Sequence, residues 1–397
     1  MTDPLRACGP RDAIDRLQGS RIRDVAAAGM GRPDVLPFWF GEPDEATDAA
    51  LREVAIQSLR EGQTFYTPNF GLPELREALA DYVGGLHHFP CGAEQIAVTS
   101  GGVSALMLTM QALVDPGDRV VVLTPVWPNL VEIPRILGAE VQPLGLRFDA
   151  ALGWRLDLDE LLAALTPDTR LLVINSPNNP TGWVMPRAQQ EAVLAHCRRH
   201  GIWVLSDEVY ERYYFDGNCA PSFLDFADPQ DRLVSCNSFS KAWRMTGWRL
   251  GWLLAPEALL PSIGKLIEFN TSCAPGFVQQ AALQAVKTGE PEVARTVAKL
   301  RSARDFLAHA LAELPGIETG PPAPGAMYAY FRIRDMQDSV AFCQKLVREG
   351  GMGLAPGAAF YTPEEGFVRW CFASSEDKLA EGVKRLGAFL KLAGAGA

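Results

Sequence analysis

Six short, continuously apolar runs recur through the middle of this 397-residue chain, and amphipathic helical patterns separate them. The runs cover residues 95–99, 119–123, 171–175, 202–206, 233–236 and 250–254. Short apolar strands that alternate with helices are typical of a sheet that is buried on both faces. The pattern therefore predicts one large, layered α/β domain.

The chain is longer than a usual single domain, so a second structural unit is expected. After residue 254 the helical patterns include a long one over residues 292–314. Two further strands are predicted at residues 327–333 and 367–372. Two amphipathic helices are predicted at residues 339–348 and 376–392. These elements predict a smaller α+β domain.

Charge and hydropathy exclude several classes of partner. The chain carries 37 basic and 47 acidic residues, a formal net charge of -10, and it has no basic stripe that would bind nucleic acid. No segment approaches the roughly 20 apolar residues of a membrane span, and the start lacks the apolar core of a secretory signal. We therefore expect a cytoplasmic protein that binds neither nucleic acid nor membrane. The eight cysteines form no Cys-x-x-Cys pair, so no metal site or disulfide framework is expected.

Distinctive residues follow the predicted strands, at the point where each strand ends. They are Gly101-Gly102, Pro125-Val126-Trp127, Ser176-Pro177-Asn178-Asn179 and Asp207. Ligands of open α/β sheets bind at the carboxyl ends of the strands. The predicted topology and the motifs thus indicate a site at the same edge of the sheet.

Lys241 presents one amine between small hydroxyl residues, Ser238 and Ser240, with a second cation, Arg249, eight positions later. Such an amine suits a covalent imine to an aldehyde cofactor, while the hydroxyls and the guanidinium hold a phosphate on that cofactor. Pyridoxal 5'-phosphate (PLP) fits this description. The imine chemistry requires a lysine pKa lowered by desolvation and by neighbouring positive charge.

Eight segments in matching order resemble the class I/II aminotransferases of PLP fold type I, the aspartate aminotransferase-like superfamily. They are residues 41–44, 66–71, 100–102, 125–127, 178–182, 206–210, 237–251 and 369–373. The resemblance implies a mostly parallel seven-stranded sheet between helices, plus a smaller α+β domain. It divides the chain into an N-terminal segment (1–50) that packs with the small domain, a large PLP-binding domain (51–290) and a small C-terminal domain (291–397).

The same resemblance assigns the catalytic residues. Lys241 would form the Schiff base and then move a proton between the substrate Cα and the cofactor. Asp207 would pair with the pyridine nitrogen, although an Asp after a strand can instead cap a helix. Tyr210 and Asn179 are similar in position to the donors to the phenolic oxygen of the cofactor.

Other residues would hold the phosphate and the ring. Gly101, Gly102 and Val103 open a helix directly after a strand, so their amides face a phosphate, which Ser238, Ser240 and Arg249 would also bind. Trp127 would stack on the ring. Tyr66 resembles the residue that reaches the phosphate of the neighbouring subunit, which implies a homodimer with active sites at the subunit interface.

Arg369 resembles the bidentate clamp for the substrate α-carboxylate, and Gly41 would let the backbone approach that carboxylate. Trp127 and Asn179 would also border the substrate. The expected activity is transfer of an amino group from an α-amino acid to a 2-oxo acid. A PLP-dependent lyase or cyclase would use the same residues and is the alternative, because the groups around PLP decide its reaction.

The preferred substrate is less constrained by the sequence. Relatives specialised for dicarboxylates often use an extra arginine after the lysine strand, but residues 250–294 contain none and carry Glu268. This disfavours aspartate. The aromatic run Phe38-Trp39-Phe40 and the pair Glu45-Ala46 make an apolar, aromatic or cationic substrate side chain plausible, although Trp39 could equally serve packing.

Three other motifs fit rival functions poorly. Ser238-Phe239-Ser240-Lys241 with Lys287-Thr288-Gly289 matches a serine acyl-transfer enzyme, but no Ser-Asp-Asn intervenes. His196 and His200 have zinc-ligand spacing on a helix without a third ligand. Residues 350–353 (Gly-Gly-Met-Gly) lack the third glycine and the preceding strand of a dinucleotide-binding loop.

Overall fold

The computed structural model describes residues 9–394, and within that range it contains thirteen α-helices and fifteen strands. The helices are α1 (Asp12–Asp15), α2 (Arg21–Ala27), α3 (Ala49–Arg60), α4 (Pro73–His87), α5 (Gly102–Leu113), α6 (Asn129–Ile136), α7 (Leu158–Ala164), α8 (Arg187–His200), α9 (Leu260–Asn270), α10 (Gly276–Thr288), α11 (Glu290–Ala312), α12 (Ser339–Gly350) and α13 (Glu376–Gly394). The strands are β1 (Leu36–Pro37), β2 (Ile96–Thr99), β3 (Arg119–Thr124), β4 (Glu140–Gly145), β5 (Arg147–Asp149), β6 (Gly153–Arg155), β7 (Thr169–Asn175), β8 (Trp203–Asp207), β9 (Leu233–Ser238), β10 (Gly251–Leu254), β11 (Ile317–Glu318), β12 (Tyr328–Ile333), β13 (Met352–Gly353), β14 (Ala355–Pro356) and β15 (Phe367–Cys371).

Seven strands form the central sheet in the order β2-β10-β9-β8-β7-β3-β4. Strand β10 runs antiparallel to both of its neighbours, and the other adjacent pairs are parallel. The prediction of a mostly parallel seven-stranded sheet is therefore confirmed, and so are the six strands expected from the apolar runs.

Both faces of this sheet are buried, which explains the continuous apolar runs. In β3, Val120 and Val122 belong to one apolar cluster, whereas Val121 and Leu123 belong to another. Successive side chains of a strand point to opposite faces, so every position of such a strand must be apolar. Helices α5 and α9 pack together with one cluster, and α3, α4 and α10 with the other.

Strand β4 is the one central strand that the apolar pattern did not reveal. It pairs with β3 at the edge of the sheet and contains Glu140, Gln142 and Pro143, of which Glu140 and Pro143 are exposed. An edge strand needs no continuous apolar run, and it tolerates a proline because one side of its backbone has no partner strand.

A second sheet of four antiparallel strands, in the order β11-β12-β15-β14, forms the smaller unit with helices α11, α12 and α13. The predicted strands at 327–333 and 367–372 correspond to β12 and β15. Strand β1, near the start of the chain, pairs in parallel with β13, and α2 packs against α12 and β14. The exact domain boundaries at residues 50 and 290 stay a prediction.

None of the helices within residues 9–394 combines the length and apolar character needed to cross a bilayer. The seven cysteines in the same range are all free, and Cys8 lies outside the described residues.

Candidate active site

A cavity of about 440 Å³ lies where β7, β8 and β9 end at the carboxyl edge of the central sheet. All predicted site residues except Gly101 and Tyr66 line it. They are Gly41, Gly102, Val103, Trp127, Asn179, Asp207, Tyr210, Ser238, Ser240, Lys241, Arg249 and Arg369. Residues between positions 41 and 369 thus meet in one cavity. The parallel strands of the central sheet deliver their following loops to the same edge, and Gly41 and Arg369 reach that edge from the N-terminal segment and from β15.

Lys241 lies in the turn after β9, and its amine reaches into the cavity. The Nζ atom donates a hydrogen bond to the carbonyl oxygen of Gly41, and the hydroxyl of Tyr213 donates to the carbonyl oxygen of Lys241 at 2.5 Å. Removal from water, helped by the positive charges of Arg369 and Arg249, lowers the pKa of Lys241 to about 8. A useful fraction of the amine is therefore uncharged and nucleophilic near neutral pH.

This low pKa can be measured on the cofactor-free protein. An amine reacts with acetic anhydride only when it is deprotonated, so its labelling rises with pH through its pKa. We expect half-maximal labelling of Lys241 near pH 8, compared with the ordinary lysine pKa of 10.5. Competitive labelling followed by peptide mass spectrometry measures this, with the exposed Lys287 as an internal reference. A midpoint of Lys241 at the ordinary value would contradict the electrostatic description.

Asp207 is the last residue of β8, and only 5% of its surface is exposed. Its carboxylate accepts a hydrogen bond from the backbone N–H of Val209 at 3.3 Å. Burial raises the pKa of Asp207 to about 7, because the ionised form has lost its water. The residues after Asp207 form a turn, so the helix-cap interpretation is wrong. A buried acid of this kind suits a cationic ligand atom.

The cavity is also lined by the start of α5, Ser238, Ser240 and Arg249. Gly101 has φ +102°, and a Cβ atom there would overlap the guanidinium of Arg249, so glycine is required at this position. Ser238 Oγ donates to Ser240 Oγ at 2.9 Å, and Arg249 Nη1 donates to the Thr246 carbonyl at 2.9 Å. Helix-start amides, hydroxyls and a guanidinium together fit a phosphate group.

Arg369 lies on β15 and is 2% exposed. Its Nη1 donates to Asn179 Oδ1 at 2.9 Å, and its Nη2 donates to the Trp39 carbonyl. The Nε–H has no hydrogen-bond partner among the described residues. A buried guanidinium with a free donor at the wall of a cavity is suited to binding a carboxylate.

Sequence reasoning missed several lining residues, including Tyr328, Thr246 and Arg23, whereas Phe40, from the aromatic run singled out in the sequence, does line the cavity. Tyr328 explains why residue 41 is a glycine, because a Cβ atom at residue 41 would overlap the Tyr328 hydroxyl. Its hydroxyl also bonds that of Tyr210 at 2.6 Å. The strand containing Tyr328 was predicted, but no motif marked this tyrosine as part of the site.

The remaining candidates lie elsewhere. Trp39 is 3% exposed and packs against Gly353, so it serves packing. Tyr66 is 91% exposed and does not line the cavity of its own chain. His196 contacts the carbonyl of Leu165 at 2.7 Å, and its ring lies 4.5 Å from that of His200, so the pair forms part of the surface of α8.

Known proteins are similar to this chain in sequence and in fold. The model of the family "Aminotransferase class I and II" matches residues 33–386. The aspartate aminotransferase of Thermotoga maritima is 34% identical over 357 residues, covering 90% of this chain and 92% of that protein. The arginine–pyruvate transaminase of Pseudomonas aeruginosa is 34% identical over 355 residues, covering 89% of each chain.

Two solved structures are similar over nearly the whole chain. The crystal structure of the Thermotoga maritima aspartate aminotransferase superimposes with a TM-score of 0.88 at 32% identity, covering 96% of this chain and 100% of that one. The aromatic aminotransferase of Pyrococcus horikoshii gives 0.85 at 32% identity, covering 93% and 98%.

Proposed function

The chain belongs to the class I and II aminotransferases, which are PLP-dependent, and from this premise we propose that the cavity around Lys241 is where it transfers amino groups. The observation that carries the proposal is the meeting of three groups in one enclosure. They are the Lys241 amine, whose pKa is lowered, the buried Asp207 carboxyl group, and the buried Arg369 guanidinium, which has a free donor.

The residues of the cavity fit the cofactor. Gly102, Val103, Ser238, Ser240 and Arg249 would hold its phosphate. Asp207 would pair with its ring nitrogen, Tyr210 and Asn179 would donate hydrogen bonds to its phenolic oxygen, and Trp127 would stack on its ring. When bound, the cofactor supplies an electron sink for the negative charge that develops at the substrate Cα.

The protein's own groups would do the remaining work. Arg369, assisted by Asn179, binds the α-carboxylate and so fixes the orientation of the Cα–H bond. Lys241 removes the proton from the Cα of the amino donor and, in the second half of the reaction, delivers a proton to the Cα of the new amino acid. Both steps suit an amine with a pKa near 8. Tyr328, bonded to Tyr210 and packed on Gly41, keeps this wall of the cavity rigid.

Amino transfer is tested by adding single amino acids with a 2-oxo acid acceptor to the purified holoenzyme. We expect one oxo acid formed for each amino acid formed, without ammonia. The lyase or cyclase alternative would give ammonia or a cyclised product and no new amino acid. The names of the relatives support transfer, but they divide among aspartate, aromatic and arginine–pyruvate transaminases, so they indicate no single donor.

A homodimer with shared active sites is the second part of the proposal. Phe65, Tyr66 and Phe269 are 85%, 91% and 86% exposed in the single chain, and large exposed apolar side chains of this kind mark interaction surfaces. A partner subunit that covers them would bring the partner subunit's Tyr66 to the phosphate end of the cavity. A cytoplasmic location stays a prediction.

Complementation tests the shared site. Lys241→Ala chains and Tyr66→Ala chains are each expected to have reduced activity, but a mixed dimer contains one cavity with both wild-type residues. Random pairing during co-expression should restore about a quarter of wild-type activity, because half of the dimers are mixed and each has one intact site of two. Activity equal to the average of the two separate variants would contradict a shared site.

A further inference from the structure

A second cavity, of about 390 Å³, adjoins the active-site cavity, and Tyr328 lines both of them. Its walls come from the β5–β6 hairpin, residues 181–189, α11, residues 319–324 and β12. None of the residues assigned above to the cofactor or to the substrate lines this second cavity. The proposed chemistry at Lys241 therefore leaves it without a role.

Aromatic rings form much of the lining of the second cavity. The Trp154 ring lies 5.3 Å from that of Phe148 and 5.6 Å from that of Tyr330, measured between ring centres. Trp183 and Phe372 also line the cavity and are 6% and 1% exposed. A cavity of this size with aromatic walls suits a flat molecule of one or two rings.

Two buried polar atoms of the lining have no hydrogen-bond partner within residues 9–394. They are Nε1 of Trp154 and Oε1 of Gln189. Buried polar atoms are nearly always paired, so each of the two indicates a place for a complementary group. The indole N–H can only donate a hydrogen bond, and the amide oxygen can only accept one. A ligand that satisfies both atoms carries one acceptor and one donor.

The charges of the lining favour an uncharged ligand. The charged side chains among the described residues of the lining are Arg155 and Arg304. Arg155 pairs with Asp149 at 3.5 Å. Arg304 pairs with Asp305 at 2.7 Å and donates to the carbonyl oxygen of Ala323 at 3.1 Å. Because both guanidinium groups are already engaged, a carboxylate or an ammonium group in this cavity would lose its water without gaining a counter-ion.

We propose that the second cavity binds an uncharged aromatic molecule with a primary amide group. The amide oxygen of the ligand accepts a hydrogen bond from Trp154 Nε1, and its N–H donates to Gln189 Oε1. The amino and oxo acids of amino transfer carry a charged carboxylate, so this ligand belongs to a different chemical class. The inference does not depend on the chemistry at Lys241.

The test uses indole-3-acetamide as the probe and isothermal titration calorimetry of the purified holoenzyme as the measurement. We expect saturable binding of one molecule per chain. Trp154→Phe keeps an aromatic ring but removes the N–H, so it should raise the Kd by about 3- to 10-fold, the range for one hydrogen bond. Trp203→Phe is the matched control, because Trp203 begins β8 and lines neither cavity. It should keep the wild-type Kd.

Two further measurements locate the site and identify the ligand class. Ala308→Trp enlarges a small side chain of the lining on α11, so it should abolish binding of the probe while amino transfer continues. Indole-3-acetate, which carries a carboxylate in place of the amide, should bind about 10-fold more weakly or not at all.

Three results would overturn this inference. They are no saturable binding of indole-3-acetamide, a Kd that neither Trp154→Phe nor Ala308→Trp changes, and equal or tighter binding of indole-3-acetate. Each of them leaves the proposed function intact, because amino transfer is assayed separately on the same holoenzyme.

Discussion

Replacing Lys241 by alanine is expected to reduce amino transfer by about 10⁴-fold or more, because covalent catalysis and general acid–base catalysis are lost together. The side chain is the one amine in the cavity, and its Nζ atom contacts only the Gly41 carbonyl among the described hydrogen-bonding groups. No other lining residue could take over the proton transfer at Cα from the same position. The measurement is kcat/KM for the best donor.

Lys287→Ala is the matched control, since Lys287 is exposed at the end of α10 and does not line the cavity. It should retain wild-type activity. Burial disfavours the charged form of the Lys241 amine, so its removal relieves a desolvation penalty. Cofactor-free Lys241→Ala should therefore unfold at a temperature close to that of the cofactor-free wild type. A Lys241→Ala enzyme with more than about a tenth of wild-type activity would exclude this residue as the catalytic amine.

Asp207→Asn is expected to lower kcat by about 10²- to 10³-fold, the range for losing one preorganised electrostatic partner of the reacting group. The amide keeps the shape and the hydrogen bond from Val209, so packing is preserved. It cannot carry the negative charge that holds the ring nitrogen in its protonated form. The cofactor should nevertheless remain attached to Lys241 in this variant.

Asp168→Asn provides the control for Asp207→Asn. Asp168 precedes β7 at the opposite edge of the central sheet, and its side chain is 73% exposed. This variant should have the activity of wild type. If Asp207→Asn were equally active, the carboxylate would have no part in the chemistry, and the pairing with the ring nitrogen would be excluded.

The large sheet and most of its site could be predicted from sequence for a physical reason. Strands such as β3 and β7 are buried on both faces, so their middle residues, 120–123 and 171–174, are apolar without interruption. The polar and glycine residues at the carboxyl ends of the central strands, such as Asp207 at the end of β8 and Gly102 after β2, must then lie at one edge. Strand β4 was not predicted because it lies at the edge of the sheet. Its outer side has no neighbouring strand and tolerates Glu140 and Pro143.

The site residues that were not predicted from sequence are placed by contacts between segments that are far apart in the chain. Arg23 reaches the cavity because α2 packs against β14 and α12, more than 300 positions later in the chain. Tyr328 enters it because its hydroxyl occupies the space left by Gly41. No local pattern distinguishes these residues from a surface arginine or a core tyrosine. For the same reason Trp39 could be assigned to packing only once its contact with Gly353 was known.

The most direct test of the central claim is to locate the covalent attachment of the cofactor. The holoenzyme is reduced with sodium borohydride, which makes a carbon–nitrogen double bond permanent, and is then digested and sequenced by mass spectrometry. We predict that the cofactor-derived mass lies on Lys241 and that Lys241→Ala protein carries none. Attachment to another lysine, or no attachment at all in active wild-type enzyme, would contradict the assignment of this cavity as the catalytic site.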